Sequence, residues 1–390
     1  MNFLEKLGFA RRHENSLIIL DDIFPQMLSA FRIAEFNAYL LAYERAVVYS
    51  TAASFSIIGD ERSFQEVSDE YARCYPELKG RTLRLYSRTR LNGQLIYFVF
   101  LHGARNFMKL LERSKTPFVF TLYPGGGFRL HEPDSDEILR KVFSLGNFMK
   151  VITTQKISHE YLLDGQFLEP EKIEFIYGGV FPSDQLATAA VTRKYYQKDK
   201  NTFDICFVAF KYTAKGIDKG YDVFVEVARA LSRLHDDIRF HVVGPYDKSD
   251  IDVSDFTEKI EFYGVRRTEF FPRFYAGIDL ILAPNVPFTI LPGAFDGFPP
   301  GGCIEAGLCG VGVFCTDPLN QNIVFKDGEE IVIVPRDVQG ICELIDRYYK
   351  NYDALVRLAE RGQQAFKAVF AIETQLEKRL NVLSEYLPPA

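Results

Sequence analysis

The alternation of short strand-like segments with longer segments of helical periodicity constrains this chain most strongly. Such alternation is typical of parallel sheets covered by helices on both faces, because each parallel connection requires a crossover that is usually a helix. The predicted strands form two series along the chain. They are Ser16–Leu20, Ala46–Tyr49, Leu95–Phe100, Phe118–Leu122, Phe148–Ile152 and Ile173–Ile176, then Asp204–Ala209, Ile238–Val243, Ile260–Tyr263, Ile278–Leu282, Val311–Cys315 and Ile331–Val334.

Two such series in 390 residues predict two Rossmann-like domains. We place the N-terminal domain at 1–182, a linker at 183–202 and the C-terminal domain at 203–370, because residues 183–202 lose apolar periodicity. The segment 371–390 is predicted to be a C-terminal helix, with a return to the N-terminal domain as one option. Ser29–Tyr43 and Asp134–Ser144 are the clearest helices of the first series.

Charge and apolar content exclude several classes of protein. The chain is 47% hydrophobic and 25% charged, with a net charge of −6, so it is not a general nucleic-acid binder. No apolar run approaches the roughly 20 residues of a membrane span, and the start MNFLEKLGFARR lacks the apolar region of a signal peptide. We therefore expect a cytoplasmic protein.

Cysteine and histidine spacing gives no sign of a metal site. The cysteines show no C-x-x-C pairing, and the six histidines are scattered. We expect no protein-bound metal and six free thiols, mostly buried. The cysteines are Cys74, Cys206, Cys303, Cys309, Cys315 and Cys342.

The segment DGFPPGGCIEAGLCG, residues 296–310, is the most informative loop. It lies between two predicted strands, and Gly301 and Gly302 begin a short helix whose N-terminus favours anions or hydroxyl oxygens. Asp296 and Glu305 are carboxylates that can each accept two hydrogen bonds, which suits the vicinal hydroxyls of a sugar. A tight turn with a solvated Asp and a paired Glu is the alternative.

This segment resembles the motif E-G-F-[GP]-x-x-x-x-E of retaining GT-B glycosyltransferases, in glycosyltransferase family 4. The resemblance implies that Glu305 holds the ribose of a nucleotide sugar and that Asp296 lies by the donor sugar. It also implies that the backbone of residues 297–299 (Gly297, Phe298 and Pro299) lines that sugar. The chain departs from the motif twice: Asp296 replaces the first Glu, and eight residues instead of seven separate Asp296 from Glu305.

A second segment, FVAFKYTAKGIDKGYDVFVEVARAL, resembles the family's element of a cation, a short loop and Lys-Gly that holds the donor diphosphate. Lys219 occupies the Lys-Gly position. A lysine at a helix N-terminus adds charge to free backbone donors, which independently favours phosphate. Lys211 and Lys215 are the alternatives for the upstream cation, and we prefer Lys211, nearest the strand.

A third element follows the strand before Gly244, where the family has a loop beside the nucleotide base. The later stretch EFYGVRRTEFFPRFYAGIDLILAPN resembles the family's segment that holds the base and ribose, so Tyr263 and Val265 are expected beside the ring of the base. The three elements span residues 203–340 in the family's order. The resemblance therefore implies an α/β GT-B fold, with two Rossmann-like, doubly wound parallel-sheet domains facing a central cleft.

The first domain has fewer recognisable motifs. Asp21 and Asp22 follow the first strand where relatives have a Gly-rich loop, and they are either ligands of acceptor hydroxyls or turn and helix caps. Tyr123 stands where many relatives place a His facing the donor sugar. Gly125–Gly127 could present backbone N–H groups to a sugar or phosphate, with Gly126 the candidate, but they do not form a dinucleotide fingerprint. His102 follows another strand, where a structural role is favoured.

The stretch KGRTLRLYSRTR is the one dense basic segment. We interpret it as a solvated loop or as a peripheral contact with anionic membrane at the inner face, at about 1 kcal/mol per cation. Its cations are Lys79, Arg81, Arg84, Arg88 and Arg90.

The resemblance implies a retaining, metal-independent hexosyltransferase without a cofactor. It would move a sugar from a UDP-, GDP- or dTDP-sugar to a saccharide or lipid-linked saccharide in cell-surface polysaccharide biosynthesis. The alternatives are a catalytically silent nucleotide-sugar-binding partner subunit and a GT-B sugar phosphorylase or epimerase. A Rossmann dehydrogenase is a distant third.

Overall fold

The computed structural model describes residues 17–91, 93–187 and 191–387. The N-terminal segment MNFLEKLGFARR and Ser16, the first residue of the first predicted strand, lie outside the described residues. The chain divides into two compact units: unit 1 runs to Pro182 and resumes at Ile372, and unit 2 is Ser183–Ala371. Each unit holds one parallel sheet, with seven strands in unit 1 and six in unit 2, so the predicted α/β class is confirmed.

The unit 1 sheet has the order β3-β2-β1-β4-β5-β6-β7. Its strands are β1 Leu17–Asp21, β2 Val47–Ser50, β3 Thr82–Arg84, β4 Leu95–Val99, β5 Phe118–Leu122, β6 Phe148–Thr153 and β7 Ile173–Phe175. Its helices are α1 Ala30–Ala42, α2 Phe64–Cys74, α3 Leu101–Arg113, α4 Pro133–Phe143, α5 Lys156–Asp164 and, from the end of the chain, α12 Ile372–Ser384. The central strands β1, β4 and β5 are buried along their whole length, as both-sided helix cover requires.

The unit 2 sheet has the order β10-β9-β8-β11-β12-β13. Its strands are β8 Phe203–Val208, β9 Ile238–Val243, β10 Ile260–Gly264, β11 Leu280–Ala283, β12 Gly312–Cys315 and β13 Val332–Ile333. Its helices are α6 Ser183–Leu186, α7 Tyr221–Leu234, α8 Phe271–Tyr275, α9 Gly301–Leu308, α10 Val338–Lys350 and α11 Tyr352–Phe370. The strand order reverses between β8 and β11, and in unit 1 between β1 and β4. Such points are where open α/β sheets bind ligands.

The predicted linker at 183–202 is instead part of unit 2. Helix α6 begins it, and the buried Tyr196 ring packs among the aromatic side chains of the unit 2 core. Arg193 donates to the carbonyls of Tyr275 and Ile278, and Lys200 pairs with Asp204 and Asp279 at 2.6 and 2.5 Å. Arg193 and Lys200 thus fix this irregular segment to backbone carbonyls and carboxylates of unit 2.

The core of unit 1 contains a fully buried ion pair. Glu35 on α1 and Arg379 on α12 are both 0% exposed, and Arg379 Nε lies 3.9 Å from Glu35 Oε1. The Glu35 carboxylate accepts hydrogen bonds from the hydroxyls of Tyr39, Tyr97 and Tyr123. Arg379 also donates to the Gly178 carbonyl and to Gln375, so α12 is joined to unit 1 by charge as well as by apolar packing.

Replacing Arg379 by Met is predicted to reduce the free energy of unfolding by about 3–5 kcal/mol, because Glu35 keeps a buried charge without its partner. Urea unfolding followed by circular dichroism measures the change. Arg361→Met is the matched control: Arg361 is half exposed on α11, 4.0 Å from Glu329, and its loss should cost well under 1 kcal/mol. The double variant Glu35→Gln/Arg379→Met should recover part of the loss. Equal effects of the two arginine variants would contradict this prediction.

Candidate functional site

The loops at the carboxyl ends of β8, β9 and β11 and the N-terminus of α9 approach closely at the reversal of strand order in unit 2. A Cβ on Gly302, the second residue of α9, would lie 2.8 Å from the Val208 carbonyl oxygen at the end of β8. A Cβ on Gly244 would lie 2.0 Å from the Ala209 carbonyl oxygen. Only glycine permits these approaches, so the two predicted Gly positions bring the loop backbones together.

Lys219 and Asp296 form the central contact of this site. Lys219 Nζ lies 2.7 and 2.8 Å from the two carboxylate oxygens of Asp296, and Asn285 Nδ2 donates to the same carboxylate at 2.7 Å. The Gln321 amide donates to the Asp296 carbonyl at 3.0 Å. Burial acts to lower the pKa of Lys219, but the adjacent Asp296 carboxylate outweighs burial and raises that pKa. The site therefore holds a mostly buried ammonium ion.

Glu305 lies on α9 and is 8% exposed. Burial raises the pKa of its carboxyl to about 8. Glu305 is therefore largely protonated at neutral pH, when its carboxyl group can both donate and accept a hydrogen bond. Strongly shifted pKa values of buried carboxyl groups are enriched at functional sites.

The upstream cations differ sharply in their surroundings. Lys211 pairs with Asp250 at 2.6 Å, and its ammonium lies 5.7 Å from the centre of the Tyr246 ring. Lys215 is exposed on the same loop, where its φ is +59°. Tyr212 packs its ring 5.2 Å from the Lys219 ammonium. The preference for Lys211 over Lys215 remains a prediction.

The predicted base-binding residues lie on β10 and just after it. The Tyr263 hydroxyl bonds His241 Nδ1 at 3.0 Å and donates to Glu261 at 2.8 Å, and its ring contacts Phe274. Val265 is 39% exposed. The Tyr263 ring is thus part of an aromatic cluster on the edge of the sheet.

In the segment 296–299, the side chains of Phe298 and Pro299 are buried and Gly297 is half-buried. The Asp296 side chain is 38% exposed. This loop thus presents its carboxylate to solvent while its apolar side chains pack inward.

A second cluster of polar side chains lies in unit 1, where the strand order reverses between β1 and β4. Asp21 accepts from the backbone N–H groups of Ile23 and Phe24 and pairs with Arg32 at 2.9 Å, so it caps the turn. Asp22 accepts from the Ser54 hydroxyl at 2.8 Å. It also lies 3.4 Å from His102 Nε2. Burial acts to raise the pKa of Asp22, but the hydrogen bonds from His102 and Ser54 outweigh it and lower that pKa.

The segments after β4 and β5 contribute His102 and Gly126 to this cluster of polar groups. His102 contacts the Gly126 carbonyl through Nδ1 at 3.1 Å and through its backbone N–H at 2.7 Å. Tyr123, where many relatives have a sugar-facing His, instead donates to the buried Glu35 at 2.8 Å. Tyr123 therefore belongs to the core, whereas Asp22, His102 and Gly126 lie together at the strand ends.

The basic stretch is not simply a loop, because it contains the edge strand β3, which pairs with β2. Arg81 donates to the Leu40 carbonyl and Arg84 lies 5.5 Å from the centre of the Phe64 ring. Lys79, Arg88 and Arg90 are exposed. Two of the five cations thus have structural roles.

Within residues 17–91, 93–187 and 191–387, no group of three or more His, Cys, Asp or Glu side chains is arranged to hold a metal ion. None of the described helices has the length and apolarity to cross a membrane. All six cysteines are free, and only Cys74 is exposed.

Sequence reasoning missed three residues of the site: Asn285, Gln321 and Asp250. Asn285 follows strand β11, and a polar residue at that position was a usable signal. Gln321 and Asp250 lie in loops with no motif, so only the three-dimensional structure places them beside Asp296 and Lys211.

Known proteins resemble this chain in one domain by sequence and over nearly all of it by structure. The family model described as glycosyl transferases group 1 matches residues 203–351. Comparison with curated protein sequences gives no match. A structure of Anabaena HepE in complex with UDP and glucose has a TM-score of 0.69 at 15% identity, covering 95% of this chain and 99% of that one.

Two other solved structures show the same architecture. A glycosyltransferase from Rickettsia africae has a TM-score of 0.66 at 15% identity, covering 96% of this chain and 99% of that one. Sucrose-phosphate synthase from Thermosynechococcus elongatus has a TM-score of 0.60 at 13% identity, with 94% and 99% covered. The predicted fold is confirmed, since the chain has the GT-B fold. The predicted resemblance is confirmed for residues 203–351, which match the glycosyl transferases group 1 family model.

Proposed function

We propose that the protein transfers a sugar from a nucleoside-diphosphate sugar to a hydroxyl group of a saccharide or lipid-linked saccharide acceptor. The observation that carries this proposal is the contact of Lys219 with Asp296 at the switch point of unit 2, within the segment that matches the group 1 family model. The helix that follows Asp296 carries Glu305. The UDP bound in the HepE structure favours a UDP-sugar as the donor. Other nucleotides are alternatives.

Lys219 serves the leaving group in this proposal. A positioned ammonium ion stabilises charge that develops on the departing diphosphate, the role that a divalent cation plays in other transferases. Lys211, on the loop after the same strand, supplies the second cation. The donor site needs no metal, and transfer retains the anomeric configuration, as the family resemblance implies.

Glu305 binds the ribose of the donor. A protonated carboxyl can donate to one ribose hydroxyl through its O–H and accept from the other through its carbonyl oxygen. Burial, which raises the pKa of Glu305 to about 8, keeps that form populated at neutral pH. Asp296 lies by the donor sugar, and the base stacks near Tyr263 and Val265.

The acceptor binds unit 1, where Asp22 and His102 offer an acceptor and a donor for a hydroxyl group. The exposed cations Lys79, Arg88 and Arg90 are the part of the basic stretch suited to anionic headgroups on the cytoplasmic face of a membrane. These assignments suit a role in the synthesis of cell-surface polysaccharide.

A nucleoside diphosphate is predicted to stabilise the folded protein in a thermal-shift panel of UDP, GDP, dTDP, ADP and CMP, with and without EDTA. Ligand at a hundred times its Kd adds roughly 2.7 kcal/mol, so the shift should be several degrees and insensitive to EDTA. Glu305→Ala should weaken binding because the ribose loses its carboxyl partner. Glu360→Ala, at an exposed position on α11, should not change it. No shift with any nucleotide would overturn the proposed function.

Lys219→Ala is expected to reduce turnover by on the order of a hundredfold or more, because the leaving diphosphate loses its buried counter-charge. The measurement is release of the nucleoside diphosphate from the best-binding sugar nucleotide, with water or added saccharide as acceptor. Lys350→Ala, exposed at the end of α10, is the matched control. Donor binding without turnover in the wild-type protein would favour the silent-subunit alternative instead.

Glu305→Gln is predicted to make the folded protein more stable than wild type near pH 8. The folded pKa is raised above the ordinary 4.5, so the wild-type protein loses stability between pH 4.5 and about 8, by about 1.4 kcal/mol per unit of pKa difference. The glutamine carries no proton to lose. Urea unfolding at pH 5 and pH 8 measures this, with Glu360→Gln as control. Parallel pH profiles of wild type and Glu305→Gln would refute it.

A further inference from the structure

Both lysines proposed to hold the diphosphate are paired with aspartates on other loops. Lys219 on the loop after β8 contacts both carboxylate oxygens of Asp296, on the loop after β11. Lys211 contacts Asp250, on the loop after β9, at 2.6 Å. Each candidate phosphate ligand thus already has an anion from this chain beside it.

The position of Asp296 does not depend on Lys219 alone. Asn285 donates to one oxygen of its carboxylate, and Gln321 donates to its backbone carbonyl. Lys219 also lies 3.9 Å from Asp218, so it has a second, weaker carboxylate neighbour. Asp296 can therefore remain anchored by its loop while its contact with the ammonium ion is lost.

Asp250 is similarly anchored from its own loop. Its Oδ2 accepts from the backbone N–H of Asp247 at 3.1 Å, while Oδ1 faces Lys211. The Asp250 side chain is 13% exposed and that of Lys211 is 28% exposed. The Lys211 side chain is therefore more exposed to solvent than the Lys219 side chain, which is 11% exposed.

A lysine ammonium in a largely buried site needs a counter-charge. A diphosphate brings more negative charge than one carboxylate, and phosphate oxygens brought beside Asp296 or Asp250 would be repelled by it. The ligand and the aspartate therefore compete for the same ammonium ion.

We propose that Asp296 and Asp250 are internal counter-anions, which the diphosphate of the donor displaces from Lys219 and Lys211. This inference rests on the proposed function. It assigns the two aspartates a role opposite to that of a ligand-binding residue: each lowers the affinity for diphosphate and keeps its lysine charged and positioned. Removing either negative charge should therefore tighten diphosphate binding.

The experiment measures the Kd of inorganic pyrophosphate and of UDP by titration calorimetry, on the full chain, for wild type, Asp296→Asn and Asp250→Asn. Each variant keeps the shape of the side chain and loses its charge. We expect the Kd of pyrophosphate to fall about fivefold to tenfold in each variant. The unliganded variants should unfold at a lower temperature than wild type and gain more on adding pyrophosphate.

Asp255→Asn is the matched control. It removes one negative charge from the same unit, at an exposed site where Asp255 pairs with Arg229 and Arg233. A Kd that stays within twofold of wild type would exclude a general charge effect. Lys211→Met and Lys219→Met should weaken binding instead.

The results of this experiment distinguish a failure of the counter-anion role from a failure of the proposed function. An unchanged or raised pyrophosphate Kd in Asp296→Asn and Asp250→Asn overturns the counter-anion role, and so does an equal gain in Asp255→Asn. Absence of pyrophosphate binding in all variants also overturns it. Pyrophosphate binding without any nucleotide binding would instead overturn the proposed function. If Asp296→Asn does not fold, Asp250→Asn decides, because its lysine partner is the more exposed of the two lysines.

Discussion

Burial of the central strands on both faces is the constraint on which both units depend. Strands β1 and β4 are buried along their whole length and carry no charged side chain before Asp21, the last residue of β1. Charged groups of the sheet therefore lie mainly where strands end. Reversal of strand order then separates two neighbouring loops and leaves room between them. In unit 2 this places Lys219 beside Asp296, and in unit 1 it places Asp22 beside His102.

The two units use buried ion pairs in different ways. Glu35 and Arg379 are buried in the core of unit 1, where three tyrosine hydroxyls donate to Glu35 and Arg379 donates to the Gly178 carbonyl. In contrast, the pair of Lys219 and Asp296 keeps its carboxylate 38% exposed. A closed pair joins elements of the fold, whereas a pair open on one side can exchange its anion for one from solution.

Sequence periodicity located the long strands to within a residue or two, because their apolar runs are continuous. It missed β3, since a three-residue edge strand flanked by arginines has no such run. The motif identified Glu305 but not its burial, which depends on how α9 packs against the sheet. The pairing of Lys211 with Asp250 depends on two loops distant in sequence, so no local pattern could predict it.

The return of α12 to unit 1 affects the order in which the protein can fold during its synthesis. Unit 2 is a continuous segment from Ser183 to Ala371 and leaves the ribosome complete. Unit 1 begins earlier but waits for α12, so Glu35 stays without Arg379 until the whole of unit 2 has been made. Although unit 1 contains the earlier residues, unit 2 is therefore the first that can reach its final core on the ribosome.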